Sequence, residues 1–458
     1  MNKVCVVAYD PIGPQMAGPA IRSLELARTL GRKFDVTLAV PNNVQMTGEP
    51  FKIFQYNYRS LRKLVQTQEV VCVFGFHLKT FPFLKKIPGA LVVDIYCPTF
   101  FEALANYGSK DMDYQIPICR RIIDLFQEQL RAGDFFICAS EIQRDFWVGM
   151  LVAAGRVNPY TFGTDKTLRS LIDVVPYGLP ENPPAKKQNV LKGVHPAIKP
   201  GDKVVLWGGG MYDWLDPKTA VRAMEAVSRE RPDIKLFFMG CLHPLPNVRM
   251  DVVKETKNLS DSLGLTGKTV LFNDHWISYD DRADYLLEAD IGLSLHQKSI
   301  ETDYSFRTRI MDYLWAGIPI LSTRGGALSD LVEEKRLGLT AEYNDPQDLS
   351  RKILQMAAGE ELMNEFRENI RDLRSQYVWG RALEPLERFC RSPAKKIDDL
   401  FAAENLRIKS PVFIYKRARS IYKSKGLSGL AVKTVVVVAN KIQHMLMRLV
   451  SMLVPSAE

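Results

Sequence analysis

Between Ile300 and Pro319 the chain reads IETDYSFRTRIMDYLWAGIP, the richest run of groups that can hold a ligand. Acidic and Ser/Thr residues open a helix here. The first turn of such a helix offers unpaired N–H groups and the positive end of its dipole to a phosphate. Arg307 and Arg309 add cationic forks in that turn. Asp312, deeper in the helix, is placed to accept from a ribose hydroxyl, and Gly317 and Pro319 end the helix before an apolar strand. The competing reading is an amphipathic helix with solvated arginines. Two glycine clusters come after apolar runs in the same way. One holds Gly13 and Gly18; the other is Gly208, Gly209 and Gly210. Glycines at a strand-to-helix turn let backbone N–H groups approach an anionic or polyol ligand. Neither cluster is GxGxxG, so no dinucleotide fingerprint is present. His77, in FGFHLKT, also comes after an apolar run and reads equally as a ligand-edge or a structural histidine. His275 and His296 read as structural.

These groups need strands to carry them. The first half alternates strand and helix signals: KVCVVAYD (3–10), helical spacing over Ala20–Leu30, then DVTLAVP (35–41), FKIFQY (51–56), VVCVFGF (70–76), ALVVDIY (90–96) and DFFICAS (134–140). VVPYG (174–178) closes this half. A second series holds strands at 203–210, 234–240, 268–274, 289–296, 318–323 and 337–342, with helices at Pro217–Arg229, Arg282–Glu288, Thr308–Trp315 and Gln347–Ala358. Alternation of this kind predicts an α/β protein with parallel sheets and right-handed crossovers. We read five segments: a first domain at 1–183, a linker at 184–201 rich in Pro and Lys, a second domain at 202–375, a helical return at 376–403 and a basic tail at 404–458. The helical signal spans about 359–403 without a clear break.

Composition excludes several classes. Of the 458 residues, 46% are hydrophobic and 25% charged, which fits a soluble globular chain and no disordered or collagenous one. The seven cysteines show neither CxxC nor metal-ligand spacing, and predict buried free thiols in a reducing compartment. The net charge of +9 lies in the tail, where residues 405–457 carry ten Lys/Arg and no Asp/Glu. The body is therefore nearly neutral, and no nucleic acid is expected as a partner. No signal peptide and no uncharged apolar run of spanning length is predicted.

The stretch SFRTRIMDYLWAGIPILSTRGGALSDLVEEKRLGLTAEYNDP resembles the donor-binding signature of the retaining nucleotide-sugar glycosyltransferases of family 4, the glycosyl transferases group 1. GPAIRSLELARTL, ASEIQRDFW, VVPYGLP and VLWGGGMYDWLDPKTAVRAMEAV resemble further parts of that family in chain order, over most of 1–390. The resemblance implies the GT-B fold: two Rossmann-like domains facing a cleft, the first for the acceptor and the second for the nucleotide sugar. It implies His77, Asp303 and Arg307 as catalytic. It implies Gly13, Gly18, Gly208, Gly209, Gly210, Ser305, Phe306, Arg307, Arg309 and Asp312 as donor-binding.

The chain departs from the family at three points. The family's paired glutamates fall on Tyr304 and Asp312, with Asp303 or Glu301 as stand-ins for the first. An Arg/Lys pair that neutralises the diphosphate is missing from Gly209–Leu215, which leaves Arg307 and Arg309, with Lys218, to supply charge. The usual histidine is matched loosely by His77. The implied donor is a UDP- or GDP-sugar, with no cofactor or metal required. Asp111-Met112-Asp113 is the DxD spacing of the metal-dependent alternative. A GT-B epimerase, a phosphorylase and a non-catalytic scaffold remain as competitors.

In the tail, Lys416, Arg417, Arg419, Lys423 and Lys425 precede a segment whose helical wheel sets Lys433, Lys441 and Arg448 on one face, opposite Val and Leu. Such a pattern predicts binding to an anionic membrane surface. With the resemblance it predicts a lipid-linked or polysaccharide acceptor and a cytoplasmic protein held at the inner face of the plasma membrane. The alternative is a helix packed on the body or on another subunit of a homo-oligomer.

Overall fold

The computed structural model describes residues 2–245, 250–397 and, in the tail, 415, 419, 420, 423, 424 and 431. Two compact units emerge, Met1–Val157 with Thr161–Lys396, and Asn158–Tyr160 with Ile397–Glu458. Both α/β halves belong to the first. Its opening half holds β1 (Lys3–Val7), β2 (Asp35–Val40), β3 (Lys52–Gln55), β4 (Val70–Phe74), β5 (Ala90–Asp94), β6 (Phe135–Cys138) and β7 (Ile172–Val174) in the order 3-2-1-4-5-6-7. The second half holds β8 (Lys203–Trp207), β9 (Ile234–Phe238), β10 (Val270–Phe272), β11 (Ile291–Ser294), β12 (Ile320–Thr323) and β13 (Gly338–Ala341) in the order 10-9-8-11-12-13.

All pairings between these strands are parallel. Helices cover both faces of such a sheet, so central strands are apolar on both sides. That is why VCVV and VVLW read as unbroken runs, with their residues buried. Each sheet reverses its winding at one point, between β1 and β4 and between β8 and β11, and the crevice outside the carboxyl edge at such a point is where open α/β sheets bind ligands.

Six of the helices bear on that crevice: α1 (Gly18–Gly31), α2 (Thr99–Tyr107), α3 (Glu141–Ala153), α4 (Arg282–Leu286), α5 (Ile300–Tyr304) and α6 (Thr308–Ala316). No described helix is long and apolar enough to cross a membrane. The seven cysteines are free thiols, five of them buried.

Three features differ from the sequence reading. Strand β7 carries Asp173, bound by Arg169 and Arg388, and a charged residue in a three-residue strand hides the apolar signal. The segment at 184–201 is laid against the second half: Leu191 and Ile198 are buried, and the Val190, Leu191 and Lys192 amides donate to the Glu288 carboxylate. The long helical signal after 359 breaks into Glu360–Arg374, Trp379–Ala382 and Glu384–Arg391.

The break is an extended Val378 that bridges to Leu179 in parallel. Beyond it the helix Glu384–Arg391 packs on the first half. Phe389 stacks on Phe135 with ring centroids 4.5 Å apart, and Lys33 pairs with Glu387 at 2.6 Å.

Candidate functional site

The carboxyl edges of the two sheets meet across a cleft. One part of it, about 310 Å³, takes Asp10, Gly18, Cys97 and Glu102 from the first half and Tyr212, Ser305, Phe306, Arg307 and Arg309 from the second. A smaller cavity of about 120 Å³ adjoins it, lined by Gly18, Gly208, Gly209, Gly210, Trp276, Arg309 and Asp312. An open groove of about 570 Å³ runs along the loop that holds Gly13.

On the second half, β8 ends in the turn Gly208–Gly210. Gly209 has φ +93°, a left-handed conformation that favours glycine. Beneath the turn lies the fully buried Tyr313 of α6. Its Oη accepts from the Gly208 amide at 2.8 Å and lies 2.9 and 2.8 Å from the carbonyl oxygens of Leu206 and Leu293. The hydroxyl therefore ties β8 to β11 where the winding reverses. Burial pushes this phenol up to about 12, so it stays protonated. Gly292 makes room for the ring, since a Cβ there would stand 2.5 Å from the Tyr313 Cγ.

Arg309 sits in the first turn of α6. Its Nη2 donates to the Gly210 carbonyl at 2.8 Å, and the guanidinium lies 4.6 Å over the Trp207 ring. The other terminal nitrogen, Nη1, is buried with no hydrogen-bond partner among the described residues. Burial first, then repulsion from Arg307, pulls the group down to about 10, still cationic at neutral pH. No side chain caps the first turn of α6. An uncapped helix start, a three-glycine turn and an unmatched guanidinium nitrogen together form an anion site.

Arg307 is engaged differently. It forms a two-pronged pair with the buried Glu301 at 3.0 and 2.6 Å, and Ser305 Oγ donates to the same carboxylate. Its charge is thus matched locally, and Arg309 carries the unmatched one. Asp312 lines the smaller cavity and accepts from Arg282 Nε at 3.2 Å. Arg282 is in turn held between the Tyr279 and Trp315 rings, 3.6 and 4.4 Å from their centroids. Burial raises the Asp312 carboxyl and Arg282 opposes it.

Other residues singled out in the sequence are not brought to this cleft. His77 is fully buried under Tyr9, its Nδ1 2.9 Å from the Phe74 carbonyl, and burial lowers it to about 4, so it is neutral. Asp303 is exposed and acts on Asp330 and Tyr343. Tyr304 is stacked on Phe101 at 5.2 Å, and its carbonyl accepts from Gln143 Nε2 at 2.7 Å, so it joins α5 to α2 and α3. Lys218 pairs with Glu255 at 2.7 Å. His296 is buried against the Arg324 carbonyl. Asp111 and Asp113 are exposed at the start of the helix Met112–Ala132. Arg419 and Lys423 are exposed; Lys416, Arg417, Lys425, Lys433, Lys441 and Arg448 lie outside the described residues.

The first-half loop is pinned on both sides. Asn42 bonds both backbone groups of Ile12, at 3.0 and 2.8 Å. Across the cleft, Tyr279 N donates to the Pro14 carbonyl at 2.8 Å and Trp276 Nε1 to that of Met16 at 3.1 Å. Sequence reasoning missed Glu102, Trp276, Arg282 and Tyr313. For Glu102 a signal exists: it is the one acid in TFFEALANY, an otherwise apolar and neutral helix.

The Anabaena HepE structure with UDP and glucose superposes with a TM-score of 0.62 over 86% of this chain and 100% of its own, at 14% identity. The fold is GT-B. WaaG, a glycosyltransferase of lipopolysaccharide biosynthesis, aligns at TM-score 0.57 over 86% of this chain and 100% of its own, with 14% identity. Residues 194–373 match the family model of the glycosyl transferases group 1. Among curated proteins, an uncharacterised glycosyltransferase of Methanocaldococcus jannaschii is 35% identical over 65 residues, 14% of this chain and 18% of its own. A chitobiosyldiphosphodolichol beta-mannosyltransferase of Candida albicans is 29% identical over 110 residues, 24% of each. The matched segments thus span a quarter or less of these two relatives.

Proposed function

We propose that the protein is a glycosyltransferase that moves a sugar from a UDP- or GDP-linked donor to a lipid-linked or surface-glycan acceptor. The carrying observation is the buried, unpartnered Nη1 of Arg309 beside the Gly208–Gly210 turn and the uncapped start of α6. Glycosyl transfer passes through an oxocarbenium-like state and expels a nucleoside diphosphate. Fixed N–H dipoles and a desolvated cation stabilise that leaving group without rearranging. Ser305 and Phe306 wall the same cavity. Asp312, oriented by Arg282, suits a ribose hydroxyl. The group 1 match over the second half supports a sugar-nucleotide donor, and the family resemblance implies retention, to be read in the anomeric configuration of the product. A lipid-linked acceptor is suggested by the Candida albicans relative, named for a dolichol-linked substrate.

The test is a thermal-shift screen against UDP-glucose, UDP-N-acetylglucosamine and GDP-mannose. A ligand at about 100 times its Kd adds about 2.7 kcal/mol to stability, so one member should raise the melting temperature clearly. No shift with any of them, nor with UDP or GDP alone, would favour a non-catalytic scaffold.

We further propose that the tail holds the protein at the inner face of the plasma membrane. A polybasic segment and an apolar helical face each bind a membrane weakly and together bind it stably. Full-length protein should sediment with liposomes rich in phosphatidylserine, only part of it being released by high salt. A chain truncated after 404 should stay in the supernatant. If the intact protein ignores the liposomes, the tail packs elsewhere.

A further inference from the structure

The glycosyl-transfer reading leaves one proton to be placed. As the acceptor oxygen bonds to the anomeric carbon, the bond from that carbon to the diphosphate oxygen breaks and its electron pair leaves with the diphosphate. The acceptor's hydroxyl proton goes either to the departing diphosphate oxygen or to a base of the protein. We propose that Glu102 is that base, taking the proton from the acceptor hydroxyl as the glycosidic bond forms. The inference rests on the glycosyl-transfer reading.

Two carboxylates of the first half line this cavity, Asp10 and Glu102. Glu102 lies on α2 of the first half, and its side chain lines the same 310 Å³ cavity as Arg309, Ser305 and Thr308 of the second. It therefore shares one cavity with the anion site, and its charge is felt by Glu301 and Arg307. Its carboxylate has no hydrogen-bond or ion-pair partner among the described residues. Glu301, the carboxylate nearest in role, is already held by Arg307 and Ser305 and so is not free to accept a proton. The charged and titratable groups around Glu102 are Glu301, Arg307, Arg309, Tyr212 and His243 across the cavity, and Asp10, Tyr96 and Cys97 on its own side. Burial, reinforced by Glu301 and opposed by Arg307, raises its carboxyl to about 7. A base is most effective when it titrates near the working pH.

The folded state holds the Glu102 proton at a pH where the unfolded chain has released it, so burial of this group costs stability as pH rises from its ordinary value of 4.5 to about 7. Activity should move the opposite way, falling as pH drops below about 7 and the base becomes protonated.

Glu102→Gln and Glu102→Ala test the proposal. The probe is whichever nucleotide sugar the thermal screen selects. Water serves as the acceptor, and release of the nucleoside diphosphate is monitored. We expect Glu102→Gln to slow release by about 10²-fold or more, the usual contribution of a positioned base, with the Kd for UDP or GDP unchanged. The acidic limb of the wild-type pH profile should vanish in this variant, and formate should restore part of the rate to Glu102→Ala. Wild-type release by Glu102→Gln would overturn the proposal, as would loss of nucleotide affinity along with rate. Should neither variant fold, the wild-type profile decides, because a rate that stays flat from about pH 6 to 8 excludes such a base. A wild-type protein that binds no nucleotide sugar and releases no nucleotide would instead sink the transferase reading itself.

Discussion

Arg309→Ala is expected to weaken binding of the nucleoside diphosphate by about 1.5–3 kcal/mol, the scale of a hydrogen bond to a charged group. That corresponds to roughly 10- to 150-fold in Kd. The side chain is anchored through Nη2 to Gly210 and through its face to Trp207, which leaves Nη1 preplaced for a ligand. Little side-chain entropy remains to be lost when an anion arrives. Arg307→Ala should behave differently. It strips the charged partner from a carboxylate that is 1% exposed and leaves it only the Ser305 hydroxyl, so the loss should fall on stability, since a buried charge without its counter-charge is costly. Calorimetry with UDP and GDP separates the two variants. Equal affinities in Arg309→Ala and wild type would show that the diphosphate does not sit at the start of α6.

Gly292→Ala should be the most damaging single methyl group near the site. Strand β11 passes so close to α6 that the new Cβ would meet the Tyr313 ring at 2.5 Å, against an ordinary contact of 3.4 Å or more. Tyr313 cannot swing aside, because its hydroxyl bonds the Gly208 amide and faces two carbonyls. Either the ring tilts and those groups lose their partner, or strand and helix part. Overpacking of this kind costs about 1–3 kcal/mol, and a stranded buried polar group about 1–3 more. Denaturant unfolding should report the sum, and the affinity for nucleotide should fall with it, since Gly208–Gly210 loses its support. A midpoint equal to wild type would mean that β11 and α6 separate freely.

The sheet strands were legible because central parallel strands are buried on both faces and read as unbroken apolar runs. Strand β7 escaped because Asp173 interrupts it, and the break at Val378 because its cause is a partner strand 199 residues away in the chain, at Leu179. Around the site, residues just after a strand could be read, and the groups that face them from elsewhere in the fold could not. Gly208–Gly210, Ser305, Phe306, Arg307, Arg309 and Asp312 all line the cavities. The order of importance between Arg307 and Arg309 was hidden, because it depends on Glu301 being folded back onto Arg307. His77 comes after a strand as the pattern required, yet Tyr9 covers it. Glu102 could be found only as an acid without a reason to be in an apolar helix.

The covalent chain passes between the two halves near Leu179 and returns near Val378, and these passages lie side by side, joined by Leu179 N to the Tyr377 carbonyl and Trp379 N to the Leu179 carbonyl, at 2.8 and 2.9 Å. Gly178 lets them approach, since a Cβ there would meet Trp379 at 2.7 Å. The link between the halves is thus two chain segments tied to each other by two backbone hydrogen bonds, which resist sliding along one another. That double link helps fix the register in which Glu102 of the first half and Arg309 of the second line one cavity.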